Sequence, residues 1–386
     1  MNYDFIIYGG GISSEIAALA LAKNNFSVCY VKNQTTQKTE SNLVTFLSSG
    51  SINYLCSIIN DPLEFNKFND IEKITCRLAT INDGSSITFD SEPNSTMGKI
   101  LPNKIISEQL AISLKENKNI DTLFITKSIR KEIHSNKVSI VVDEQNEISA
   151  KVFILSINDK NLLDQNNIKF ISQDLNQTAL SMNVQGDFKI QNHAFQIFTS
   201  SGPLAFLPYS NNKASLVWSL KNGSKELNYE KSKLENKVNN YFEKEIGALK
   251  IENIETHKLN FLYAKKLYHG NTVIMGNIAH NIHPIAGQGL NLSIKDIYLF
   301  VEIILKYTSL GYEINNRMAF KEFNEIRKID NAAYSFGTLA LDKILKSDNT
   351  YLGMLVNMGV KILNKSNFLK SKIIKNATGG ESFKAL

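Results

Sequence analysis

Residues 3–32 read YDFIIYGGGISSEIAALALAKNNFSVCYVK, and the fold turns on this stretch. A short apolar run ending in glycines predicts a buried strand. An alanine- and leucine-rich helix follows, then a second apolar strand. Gly9 and Gly11 fill the first two places of a GxGxxG fingerprint. The first permits a tight turn. The second lets the backbone approach a pyrophosphate at the helix N-terminus, where Ile12 and Ser13 start the helix. The third place holds Ser14, where a glycine would serve close helix–strand packing, so the serine is expected to push the helix slightly outward. Strand, turn and helix come in the order that a dinucleotide-binding unit requires.

At the end of the second strand, where an acid would bind the adenosine ribose, stands Lys32. Three readings stand side by side: an altered dinucleotide site, a cation beside a 2′-phosphate, and a solvated lysine without a role.

The chain has 386 residues, 43% apolar and 21% charged, which supports a sizeable core and argues against disorder. Charged or polar residues interrupt every apolar run before it could span a bilayer. The start, MNYDFIIYGGG, has no basic leader, so no signal peptide is expected. Cys29, Cys56 and Cys76 form no CxxC pair and read as reduced thiols of a cytosolic protein. The formal charge of +6 is almost all lysine. Without a dense Arg/Lys patch interleaved with aromatics, no nucleic-acid partner is expected. A mild attraction to anionic membrane surfaces stays open.

Farther along, LPNKIISEQLAISLKENKN predicts a helix with Asn103 as N-cap. SIRKEIHSNKVSIVVDEQNEISAKVFILSIN alternates as three antiparallel strands do. From about 176 to 265 more strands follow, with a helix near 230–245. NTVIMGN reads as a buried strand returning to the nucleotide unit. Beyond Gly289 the pattern is helical, broken near Gly311 and Asp348.

The return leads into GNIAHNIHPIAGQGLNLSIKD, residues 276–296. Bare backbone at Gly287 and Gly289 directly before a helix start offers amides and a positive dipole end to an anionic group. His280 and His283, three apart, lack an HExxH setting and are followed by Pro284, so no metal is expected; one beside a bound ring or a structural one are the remaining readings. Trp218, Phe206 and Tyr209 either face an apolar substrate or fill the core of a sheet. VKILNKSNFLKSKIIK either rests on a membrane interface or caps the domain.

With GGGISSEIAALALA, GPLAFLPYS, SLVWS, HPIAGQGLNL and RKIDNAAYSFGTLALDKIL together, the chain resembles the class A flavoprotein monooxygenases. Within them it is most similar to the ubiquinone-biosynthesis hydroxylases that act on polyprenyl phenols. The likeness spans nearly the whole chain. It implies an α/β fold, with a Rossmann-like FAD-binding domain of the GR2 type interleaved with a β-sheet substrate domain, and a helical C-terminus. The expected division is 1–175 with an insertion near 74–100, then 176–265, 266–310 and 311–386.

The resemblance implies that FAD is bound by Gly9, Gly11, Ile12, Ser13, Ser14 and Lys32. Gly276 and Asn277 would meet the ribityl hydroxyls and Pro284 would flank the flavin ring. Gly287, Gln288, Gly289, Leu290 and Asn291 would present backbone near its pyrimidine end. It also implies NAD(P)H as a transient reductant, since there is no second dinucleotide fingerprint, and O₂ transfer through a flavin C4a-hydroperoxide to a polyprenyl phenol. The catalytic acid or base is not nominated. The expected location is cytoplasmic, with peripheral contact on the inner face of the membrane and with a quinone-biosynthesis complex.

The chain departs from the family at Ser14, Lys32 and Asn277, at Leu43 in place of an early arginine, and at Ile157-Asn158 in place of an Asp-Gly. Two or three missing charged contacts would cost ~2–5 kcal/mol of cofactor binding. These departures keep two further readings open: a non-catalytic scaffold of the quinone-biosynthesis complex, and an NADPH-dependent reductase.

Overall fold

A computed structural model describes residues 2–33, 42–79, 86–125, 129–133, 137–142, 146–282, 287–345, 366–378 and 383. Among these, three sheets form.

The first sheet contains β1 (Asn2–Gly9), β2 (Val28–Asn33), β8 (Ile120–Ile125), β9 (Arg130–Ile133), β10 (Val138–Val142), β11 (Asn146–Leu155), β17 (Tyr268–His269) and β18 (Thr272–Ile274). Its spine runs β17-β18-β11-β1-β2-β8, and β18, β11, β1, β2 and β8 are mutually parallel. Both faces of a parallel sheet are covered, which is why FIIY, VCYV and VFIL are unbroken apolar runs. The three alternating runs of the sequence are β9, β10 and β11. Only β9–β10 and β10–β11 pair antiparallel; β11 also lies parallel between β1 and β18. Register sets Gly9 opposite Lys32, Tyr8 opposite Leu155, and Leu155 opposite Ile274. The chain therefore leaves three adjacent strands at Gly9, Ser156 and Gly276 on one edge, where open α/β sheets bind ligands.

The second sheet contains β5 (Lys73–Leu78), β6 (Ser86–Asp90), β12 (Phe170–Gly186), β13 (His193–Thr199), β14 (Gly202–Ser210), β15 (Lys213–Lys221), β16 (Leu249–Ala264) and β19 (His280–Asn281). A third, smaller sheet joins β3 (Val44–Ser48), β7 (Gly98–Pro102) and β4 (Asp70–Ile71).

Helix α1 (Ile12–Lys23) packs between the first sheet, α3 (Asn103–Glu116) and α6 (Gly289–Ser309), and is buried from Ser14 to Ala22. Its crossing with β1 is tight: a Cβ on Gly9 would lie 2.7 Å from that of Ser14. Ser14 is accommodated because Gly9 has no side chain and its own hydroxyl turns back to the Gly11 carbonyl at 2.6 Å. Asn103 opens α3 but does not cap it. Its side-chain oxygen accepts from Thr45 at 2.6 Å, which ties the helix to β3.

Helix α2 (Ser49–Ile58) begins at a serine cap, and α4 (Lys160–Gln165) is capped by Asp159. Helix α5 (Lys231–Ile246) covers one face of the second sheet with Leu234, Val238, Phe242 and Ile246, one residue per turn. Phe206 and Trp218 belong to that core. Alternate residues of the same strands face the other way. There Leu207 and Tyr209 pack with Phe46, Ile71 and Ile100 of the third sheet. Gln177 on that face donates to Asp342 of α7 (Arg317–Leu345) at 2.8 Å. Phe206 and Trp218 thus fill the core, while Tyr209 is half-buried on the other face.

The helical pattern breaks at Gly311, between α6 and α7; the break read at Asp348 lies outside the described residues. Helix α8 (Asn367–Thr378) folds back on α2, with Ile374 against the third-sheet cluster and Phe383 against Tyr54 and Tyr298. Among the described residues no helix is long and apolar enough to cross a membrane.

Candidate cofactor site

Helix α1 begins at the edge where β1, β11 and β18 end, and α6 packs against the Gly276–Ile278 turn that follows β18. No side chain caps α1 at Gly11, and a Cβ there would meet nothing within 4 Å. The backbone around that turn is bare, as close approach of a phosphate requires. Across from it, Gly276 has φ +78°, a left-handed conformation open to glycine. A Cβ on it would meet Ser156 Oγ at 2.9 Å and Ser13 Cβ at 3.1 Å, so Ser13, Ser156 and Gly276 form one crowded corner. Asn277 projects from it and is exposed.

Helix α6 also starts without a side-chain cap, at Gln288. Gly289 has open space where a Cβ would stand, while Gly287, at φ +61°, lies against Phe46. Asn291 fixes this elbow: it is 1% exposed, donates to the Phe46 carbonyl at 2.7 Å and accepts from Ser48 N at 2.8 Å. Its side chain is engaged in positioning the α6 N-terminus, so only its backbone is free for the role the sequence suggested. Leu290 is half-buried beside it. Pro284 and His283 lie outside the described residues.

Lys32 is not a solvated lysine. Its ammonium sits 2.8 Å from Glu15 Oε1, and the two side chains are 14% and 3% exposed. Burial pushes the Glu15 carboxyl up and Lys32 opposes the shift. The sequence reading missed this pair; a buried glutamate in an otherwise apolar helix was its signal.

His280 is a structural histidine. It is fully buried, with Nε2 2.6 Å from Asp296 Oδ2. Asp296 also receives Arg327 Nε at 2.5 Å and Asn331 Nδ2 at 3.2 Å, and Arg327 extends to Asp330. Burial pushes the Asp296 carboxyl up, but Arg327 and then His280 more than offset it and hold the group at about 2. Lys295 is buried over the Tyr334 ring, and burial, then Arg327, pushes its ammonium down to about 8. This network fastens α7 to the helix whose N-terminus forms the elbow.

The family departures have local explanations. The Leu43 carbonyl accepts from Asn103 N at 2.9 Å, and Ile157 packs against the nucleotide-unit core. The acid of that turn is Asp159, and it caps α4.

A family model for an FAD binding domain matches residues 164–309, which include the Gly276–Asn291 segment. The chain is 24% identical to the mitochondrial ubiquinone biosynthesis monooxygenase COQ6 of Dictyostelium discoideum, over 98% of this chain and 92% of that protein. It is 22% identical to 3-demethoxyubiquinol 3-hydroxylase of Escherichia coli K12, over 97% of this chain and 98% of the other. Among solved structures, p-nitrophenol 4-monooxygenase PnpA from Pseudomonas putida matches with a TM-score of 0.77 at 11% identity, covering 100% of this chain and 99% of that one. Fold, strand-edge geometry and full-length likeness converge: the chain carries a match to an FAD binding domain and is similar along nearly its whole length to ubiquinone-biosynthesis hydroxylases, with the fold of FAD-dependent monooxygenases.

Proposed function

We propose that the chain hydroxylates the aromatic ring of a polyprenyl phenol in ubiquinone biosynthesis, with FAD as cofactor, O₂ as oxygen donor and NAD(P)H as transient reductant. One observation carries the cofactor assignment: two uncapped helix N-termini, each with open space over a glycine, one at the β1 edge and one on a helix that packs against the Gly276–Ile278 turn. Gly9, Gly11, Ile12, Ser13 and Ser14 are assigned to the pyrophosphate and Gly276 and Asn277 to the ribityl chain. The ring belongs to Gly287, Gln288, Gly289, Leu290 and the Asn291 backbone.

Bound FAD supplies the electron storage and O₂ activation that protein side chains lack. The chain's own part is placement. The α6 N-terminus favours negative charge at the adjoining ring edge by ~0.3–2 kcal/mol. Phe46, Ile71 and Ile100 keep water from one side. The second sheet turns small residues, Ser181, Ala205, Ser215 and Ser219, away from α5, and the substrate is assigned to that face. The test is direct. Protein loaded with FAD is yellow, bleaches with NAD(P)H under nitrogen, and after admission of O₂ adds one oxygen atom to a prenylated phenol. A colourless protein that cannot be reconstituted with FAD overturns the reading.

Peripheral membrane contact is part of the same proposal, and α7 supports it. Its inner side carries Arg327, Asn331, Ser335 and Asp342, all buried, while Ile326, Ile329, Phe336, Leu341 and Ile344 are exposed among the described residues. An ordinary surface helix has the opposite polarity. Lys328 and Lys343 are exposed on the same helix. Such a face suits an anionic lipid surface, from which a polyprenyl tail is drawn. The double change Ile329→Glu and Ile344→Glu is expected to weaken binding to vesicles containing phosphatidylglycerol at least about tenfold, with the melting temperature unchanged. Equal cosedimentation of native and variant protein removes α7 from the membrane.

A further inference from the structure

The Glu15–Lys32 pair places charges in reverse of the usual arrangement. In dinucleotide folds an acid about twenty residues beyond the glycine turn, at the end of the second strand, bonds the ribose hydroxyls. Here that strand end bears Lys32, opposite Gly9 in the parallel register. The acid stands on the first turn of α1, and the lysine reaches it at 2.8 Å.

Glu15 is 3% exposed, yet only one of its oxygens is used: Oε2 is buried and has no hydrogen-bond partner among the described residues. The hydroxyls of the adjacent Ser14 and of Tyr30 pair with each other. Ser14 Oγ donates to the Gly11 carbonyl and lies 3.2 Å from Tyr30 OH. A buried acceptor without a donor is costly, and the site lacks a donor at the position where a dinucleotide carries its ribose.

Resting on the FAD reading above, we infer that Glu15 is the acid of the adenosine-ribose subsite, moved from strand to helix. Oε2 accepts from a ribose hydroxyl while Lys32 holds Oε1. The subsite therefore recognises an unphosphorylated ribose, because a 2′-phosphate would face a buried carboxylate. It also restores one of the charged contacts that Lys32 had seemed to remove, so FAD binds more tightly than the motif departures imply.

Flavin-free full-length protein is titrated with FAD and with FMN, which lacks the adenosine, and bound ADP is competed against 2′,3′-dideoxy-ADP. Glu15→Leu is expected to weaken FAD about tenfold or more and leave FMN unchanged. Glu15→Leu with Lys32→Glu, which returns the acid to the strand, is expected to recover FAD affinity. Native protein is expected to prefer ADP over the dideoxy form by a similar factor, a measurement that needs no variant to fold. Equal ADP and dideoxy-ADP affinity, or parallel losses of FAD and FMN in Glu15→Leu, overturns the assignment and leaves the FAD reading intact. Native protein that binds neither flavin defeats the FAD reading itself, and this one with it.

Discussion

Arg327→Met is expected to lower the unfolding free energy by about 3–5 kcal/mol, because it strips one partner from a buried ion pair. Asp296 is 0% exposed and takes the Arg327 Nε at 2.5 Å; without it the carboxylate keeps His280 and Asn331 among the described residues. The pH dependence has a definite sign. The folded Asp296 sits at about 2, below its ordinary 3.8, so its stabilisation is complete above the ordinary value and is lost as pH falls toward 2. Methionine removes the first of the influences that lower it, and burial then pushes the group up. Acid unfolding of the variant should therefore begin at higher pH than in the native protein. Urea midpoints at about pH 7 and about pH 4 measure both effects. Adding Asp296→Asn to Arg327→Met should recover part of the loss, since the uncompensated charge is gone. A single variant within about 1 kcal/mol of native at neutral pH would show that the network contributes specificity of packing rather than stability.

The sequence made some of this architecture legible and hid the rest for identifiable reasons. Unbroken apolar runs at FIIY and VCYV can only be strands covered on both faces, and the glycine turn between strand and helix gave β1, α1 and β2 directly. The one-per-turn row Leu234, Val238, Phe242 and Ile246 announced α5. Period could not reveal partners. The last of the three alternating runs reads like its neighbours, yet β11 pairs parallel with β1 and β18, a choice made by tertiary packing. The Lys32–Glu15 contact spans a strand–helix crossing and depends on the register that sets Lys32 beside Gly9. His280 read as ambiguous because its partner Asp296 lies 16 residues on, past the elbow and about two turns into α6. The polar residues Arg327, Asn331 and Ser335, four apart on α7, were the readable trace of that network: a row of polar side chains at helical spacing is as much a face as an apolar one. Asn291 carried a second role that the motif did not reveal: its side chain is engaged with Phe46 and Ser48.

Gly289→Val separates the cofactor site from the fold. Gly289 begins α6, where no left-handed conformation is required, and its Cβ position is open, so valine enters without strain. The flavin-free variant should melt with the native protein. FAD should fare differently, because the added methyl groups occupy the approach to the bare amides of the α6 N-terminus. Losing two hydrogen bonds to a charged or strongly polar ring edge costs ~3–5 kcal/mol, which weakens FAD about a hundredfold or more. Gly287 makes a poorer probe, since its φ of +61° would add backbone strain to any steric effect. Because the isoalloxazine end is common to both flavins, Gly289→Val should reject FMN and FAD alike, whereas Glu15→Leu should discriminate between them. FAD titration with native affinity in a folded Gly289→Val protein would place the ring elsewhere and leave the GQG elbow as a helix start with no ligand.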